Sequence, residues 1–201
     1  FLDDAVVSSG FKGRMVVTSG VLTAADIDNP GTPDPEGAYT IDRGSERVDV
    51  APWPFPPEEA GEEPEFRFDP HVWTSPKGAR VQVANLGAGL AAAAPDDASS
   101  INAATASYLE EIDALDQWAA EAIETVPEGQ RVLFTSHDAF GYFSGDYGIR
   151  FIGAALTDFN DQQDATADHI ASAVQAVKDS GAVALFAENS NNSKSIEAIA
   201  R

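Results

Sequence analysis

Apolar residues fall into two regular regions of this chain, separated by a long polar stretch. At the start, Phe1 to Ser9 reads as the end of a helix, and Arg14-Met15-Val16-Val17-Thr18 reads as a buried strand closed by Ser19-Gly20. From about Asn29 to Phe68 the periodicity vanishes. Eight of the twelve prolines lie there (Pro30, Pro33, Pro35, Pro52, Pro54, Pro56, Pro57 and Pro64), among Glu58, Glu59, Glu62, Glu63 and Glu65. Such a mixture cannot bury a core and predicts a long loop, with a little local structure around Tyr39-Thr40-Ile41. Regularity returns in Ser75 to Ala94, where the spacing of Val81, Leu86 and Leu90 and the alanine content predict a helix ending before Pro95. A longer helix follows. Ser99 or Ser100 can cap it, and Tyr108, Ile112, Leu115, Ala119, Ile123 and Val126 recur at three- and four-residue steps until Pro127.

The last third alternates. A strand is predicted at Arg131 to Thr135, a helix at Asp138 to Tyr147, a strand at Arg150 to Leu156, an amphipathic helix at Asp164 to Asp179, a strand at Ala182 to Ala187 and a helix from Ser193 onward. This βαβ rhythm predicts an α/β fold, a parallel sheet covered on both faces by helices. There is no solenoid-period repeat and no glycine-rich phosphate loop.

Composition narrows the function classes. The chain has 201 residues, 43% of them hydrophobic, enough for one ordinary domain and part of another. No apolar run approaches the roughly 18–20 residues of a membrane-spanning helix. Thirty-three acidic against 12 basic residues give a formal charge of −21, which repels nucleic acid and anionic lipid. That charge can draw cations diffusively or simply confer solubility, and it identifies no site. With no cysteine in the chain, any metal must be held by His, Asp or Glu. The chain starts at Phe1 without an initiator Met and stops at Arg201 inside a predicted helix, so it is expected to be incomplete at both ends.

In open parallel sheets, ligands collect beyond the carboxyl ends of the strands. His137 stands after such a strand, and Glu188 ends another, so the two are expected to share a crevice. His71 follows the polar loop, at the mouth of the helix before the longest one. Neutral imidazole is the commonest metal ligand, and a closed tetrahedral site needs about four donors. Glu188 reads as a further donor, by preference as a carboxylate that orients a ligand imidazole by accepting its second N–H, or equally as a salt-bridged carboxylate at a strand end. Asp138, at the first turn of its predicted helix, reads as a favourable helix-dipole charge. Trp73, Phe140, Tyr142 and Phe143 read as packing residues around the crevice, and His169 as an exposed residue with no role.

The local words carry a more specific signal. Asp69-Pro70-His71-Val72-Trp73, then Thr135-Ser136-His137-Asp138-Ala139-Phe140-Gly141-Tyr142-Phe143 with Tyr147-Gly148, then Leu185-Phe186-Ala187-Glu188-Asn189 resemble, in order, the motifs of the periplasmic zinc- and manganese-binding solute-binding proteins of bacterial ABC metal importers, the cluster A-I family. The resemblance covers about residues 69–201 and, more loosely, 1–22. It implies two α/β lobes joined by one long rigid helix: part of an N-terminal lobe at 1–97, the linking helix at 98–127 and a C-terminal lobe at 128–201. It further implies a metal held between the lobes, with His71 a ligand from the first and His137 a ligand from the second. The family's pattern also needs a histidine in the first lobe and a carboxylate near the C-terminus, and neither matches a residue here. Members with histidine at the position of His137 resemble zinc binders and those with glutamate there resemble manganese binders, so Zn2+ is expected before Mn2+, in keeping with the preference of imidazole for zinc.

The expected function is therefore high-affinity capture of a transition metal and delivery to the permease of an ABC importer, by a monomer that is not an enzyme, binds no nucleic acid, and is periplasmic or extracellular, with a lipid anchor as one option. The acidic loop at 29–68 is expected to be an inert insertion rather than a metal-gathering arm. Two other classes compete. A metal-dependent hydrolase would need an open coordination position and a general base, but the chain has no H-E-x-x-H and no nucleophile elbow. A surface adhesin could use the same fold as a scaffold.

Overall fold

The computed structural model describes residues 5–6, 8–21, 39–53, 67–156, 167–189 and 193–201. The chain forms two compact units, Phe1–Asp116 and Gln117–Arg201. No helix among the described residues is long and apolar enough to cross a membrane.

In the first unit, strands β1 (Arg14–Val16) and β2 (Thr40–Asp42) pair in parallel, with Arg14 opposite Thr40 and Val16 opposite Asp42. The Arg14 guanidinium holds the Asp42 carboxylate at 2.8 Å across the pair. Together with a Gly44 N–H that donates to Asp42 Oδ1, this pushes the Asp42 pKa down, the backbone N–H being the larger cause. The segment expected to hold only a little local structure around Tyr39-Thr40-Ile41 thus supplies a full partner strand.

Helix α1 (Pro76–Ala93) starts where Ser75 Oγ accepts the Lys77 N–H and Pro76 occupies the first turn, a position where proline loses no hydrogen bond. Its inward face is not the leucine stripe. Gly78, Asn85, Gly87 and Gly89 are buried, whereas Leu86 and Leu90 are exposed. Small residues are required because the neighbours come so close: a Cβ on Gly89 would lie 2.5 Å from Val16 Cγ2, and one on Gly87 would lie 2.3 Å from Thr105 Oγ1. Asn85 lies 1% exposed on this face and holds two loops. Its amide nitrogen donates to the carbonyls of Thr18 and Glu46, both at 2.8 Å, and its oxygen accepts the N–H groups of Ser45 and Glu46, both at 3.1 Å. Gly44, at φ +65°, passes beneath it where any Cβ would strike the amide.

Helix α2 (Ala98–Glu124) runs through the boundary between the units. At about 1.5 Å per residue it is about 40 Å long. Ile112 and Ala119 are buried as the periodicity predicts, but Tyr108 and Leu115 face outward.

The second unit is built on β3 (Val132–His137) and β4 (Arg150–Leu156), a parallel pair whose register slips between Leu133 and Thr135. Helix α3 (Gly141–Asp146) lies between them in the chain; α4 (Ala167–Ser180) and α5 (Lys194–Ile199) follow. Phe134, Ala155, Ala173, Ile196 and Ile199 form the buried core, which Ile152, Ile170, Val174, Val177 and Leu185 enlarge. The strand predicted at Ala182 to Ala187 is reduced to a single parallel bridge, Thr135 with Phe186. Two backbone bonds secure it, Phe186 N–H to Phe134 O at 3.0 Å and Ser136 N–H to Phe186 O at 3.1 Å. The helix predicted from Asp138 begins only at Gly141, because β3 runs on through His137.

Candidate functional site

His71 is built from its own neighbourhood in the chain. Asp69 is anchored by its N–H to Ala51 O at 3.0 Å, and an antiparallel bridge joins Pro52 to Phe68 beside it. One oxygen of Asp69, Oδ1, accepts the main-chain N–H of His71 at 2.9 Å and meets the ring Nδ1 of the same residue at 2.8 Å. On the other side the His71 carbonyl accepts from Thr74, through its N–H at 3.1 Å and its hydroxyl at 2.9 Å. His71 is 1% exposed and Asp69 is equally enclosed. The rings of Trp53 and Trp73 lie 6.1 and 5.3 Å from the imidazole, centroid to centroid. Trp73 itself is 55% exposed and borders the histidine.

His137 is positioned by the end of β3. Its carbonyl accepts the Thr135 hydroxyl, and its ring Nδ1 lies 3.6 Å from Asp138 Oδ1. That separation is an ion-pair distance, too long for a hydrogen bond. Asp138 is buried and lies three residues before α3 begins, so it does not sit in the first turn of a helix as its sequence position implies. The bridge at Phe186 carries Glu188 to the same strand end, where its N–H donates to Ser136 Oγ at 3.1 Å. Glu188 also lines a cavity of about 530 Å3 with Thr135, Phe140, Phe143 and Phe186. Phe143 stacks edge-on against the buried Tyr147 at 4.8 Å, and Phe140 meets Phe143 edge-on at 6.4 Å, which agrees with their packing role. His169 falls in α4, but its side chain lies outside the described residues, as does most of the acidic loop.

The structure therefore joins His137 with Asp138 and the Glu188 segment at the mouth of β3, and His71 with Asp69 in the other unit. Among the described residues no group of three or more His, Asp or Glu side chains is placed to hold a metal ion. The donor types suit a borderline metal: imidazole nitrogen and carboxylate oxygen, with no sulfur. Asp69 is the residue for which sequence reasoning proposed no role. The signal was present, since an aspartate readily accepts the N–H two residues on and here the histidine sits at that spacing.

These features define an α/β protein of two parallel-sheet units, with a histidine and a neighbouring carboxylate in each. The family described as zinc-uptake complex component A, periplasmic, matches residues 1–201, and the chain belongs to it. The chain is 33% identical over 132 residues to the manganese-binding lipoprotein MntA of Bacillus subtilis, covering 66% of this chain and 42% of the relative. It is 31% identical over 134 residues to the zinc-binding protein AdcA of Streptococcus pyogenes, covering 67% of this chain and 25% of the relative. It thus spans less than half of either. The structure of the periplasmic zinc-binding protein TroA from Treponema pallidum superposes with a TM-score of 0.62 at 29% identity, over 72% of this chain and 51% of that one.

Proposed function

We propose that this chain supplies two of the ligands, His71 and His137, to the metal site of an extracytoplasmic solute-binding protein that captures a divalent transition metal, zinc in preference to manganese, and passes it to the permease of an ABC importer. It acts as a binder, not as a catalyst, and works as a monomer outside the cytoplasm. Its cargo is ligated by His71 and His137, and Glu188 supports the second of these. Helix α2 serves as the connection between the two lobes.

The observation that carries the reading is His71: an enclosed imidazole, with one ring nitrogen on a carboxylate, in a chain that matches a zinc-uptake family from end to end. A histidine whose far nitrogen is held by a carboxylate is the usual form of a metal-ligating imidazole. The relatives' names include both zinc and manganese, so they do not choose the metal. The imidazole at His137 favours zinc, since manganese prefers oxygen donors.

Competition against a fluorescent zinc chelator of known affinity, followed by the same titration with manganese, tests the proposal on the full chain. Zinc should bind one ion per chain and more tightly than manganese. His71→Ala and His137→Ala should each weaken zinc binding by roughly 100-fold or more, beyond the 10–100-fold that outer partners cost. Unchanged affinity in either variant would remove that histidine from the site, and unchanged affinity in both would end the proposal.

A further inference from the structure

The carboxylate of Asp69 makes two contacts with one residue: a single oxygen takes both the main-chain N–H and the ring nitrogen of His71, at 2.9 and 2.8 Å. We infer that Asp69 is a positioning residue that sets the tautomer and the ring angle of His71, so that Nε2 is the atom offered to the metal. The inference rests on the metal-capture reading above and deepens it.

The argument is one of donor and acceptor accounting. A carboxylate can only accept, so the ring nitrogen facing it must carry the proton. His71 is thereby held as the Nδ1–H form, and the lone pair of the neutral ring lies on Nε2. The main-chain bond to the same oxygen removes the remaining freedom. The Asp69 carboxylate cannot follow a rotation of the imidazole without giving up the His71 N–H, and the His71 carbonyl is held in turn by Thr74. Asp69 has no freedom of its own to trade, being 3% exposed and tied through its N–H to Ala51. The ring is therefore oriented before any metal arrives, and the ordering cost that a free histidine would pay on binding is already met in folding. His137 differs, its Nδ1 standing 3.6 Å from Asp138 Oδ1.

Long-range 1H–15N correlation spectra of the metal-free chain read which ring nitrogen carries the proton. Only three histidines are present, and the spectrum of His71→Gln assigns the signal. Wild type should show His71 as the Nδ1–H tautomer. In Asp69→Ala that signal should move toward the Nε2–H form or a mixture, and zinc affinity should fall roughly 10–100-fold. Asp69→Asn keeps an oxygen that can accept both N–H groups, so it should retain the tautomer and recover most of the affinity. An Nε2–H signal in wild type, or an Asp69→Ala protein with unchanged tautomer and unchanged zinc affinity, would overturn the positioning role alone. A wild-type chain that shows the Nδ1–H form yet binds no zinc would overturn the capture reading and the metal-directed role of Asp69 with it.

Discussion

Replacing Asn85 with alanine should unfold much of the first unit's stability, and the size of the effect follows from its contacts. The side chain makes four hydrogen bonds, to the carbonyls of Thr18 and Glu46 and from the N–H groups of Ser45 and Glu46, at a site 1% exposed. Each bond contributes about 1 kcal/mol net, and a buried group left without a partner costs about 1–3 kcal/mol. Four bonds at the lower figure give about 4 kcal/mol, a large share of the roughly 5–15 kcal/mol by which domains are stable. Urea unfolding measures it, with a slope of about 1–2 kcal/mol per M, so the midpoint should fall by about 2 M or more. The fluorescence must report the right unit: Trp118 belongs to the second, so a Trp118→Phe background leaves Trp53 and Trp73 as probes of the first. Asn85→Asp sharpens the test. It keeps an acceptor for the two N–H groups but turns a second oxygen toward two carbonyls, so it should be at least as damaging as alanine. A midpoint within about 0.5 M of wild type for Asn85→Ala would show that water replaces the bonds and that the two loops are held by something else.

Two further outcomes are expected. Phe134→Ala empties the core that α4 and α5 close over β3 and β4, at a residue 1% exposed, and should cost the second unit about 3–5 kcal/mol by calorimetry or urea unfolding; a loss below about 1 kcal/mol would mean that the site collapses freely. Asp42, whose pKa is pushed down by the Gly44 N–H and Arg14, should contribute stability above the ordinary aspartate value of about 3.9 and lose it as the pH falls through the lower folded value. The stability gap between wild type and Asp42→Asn, on the order of 0.5–1 kcal/mol at neutral pH for so exposed a pair, should therefore close below about pH 4 in urea titrations; a gap that stays constant from pH 7 to pH 3 would refute the assignment.

The elements that declared themselves in the sequence are those whose signal is local. Both long helices were legible from alanine content and the prolines at Pro95 and Pro127, although α2 begins at Ala98 and so takes Ser99 and Ser100 into its first turn instead of using either as a cap, and β4 was placed residue for residue. What was hidden depended on partners distant in the chain. The face of α1 was misread because periodicity counts large apolar residues, whereas close approach to Val16 and Thr105 selects Gly89 and Gly87. β2 is three residues long and becomes a strand only because β1 lies beside it, 26 positions earlier at each pairing. The stretch at Val183 to Ala187 has the apolar content of a strand but makes only one bridge, at Phe186. His71 and His137 were singled out through the words around them, while the carboxylate that contacts the His71 ring, Asp69, was passed over in one of those same words.

The contrast between the two histidines has a physical origin. His71 takes its orientation mainly from residues within three positions of it in sequence, Asp69 before and Thr74 after, with Asp69 itself tied to Ala51. His137 depends on the end of β3, whose neighbours Phe186 and Glu188 arrive from about 50 residues further along the chain. A local device resists perturbation elsewhere in the fold, whereas one assembled from remote segments follows any shift of the strand that carries it. On the metal-capture reading proposed above, one imidazole is preset, so that capture costs little ordering, and the other is held by segments remote in the chain.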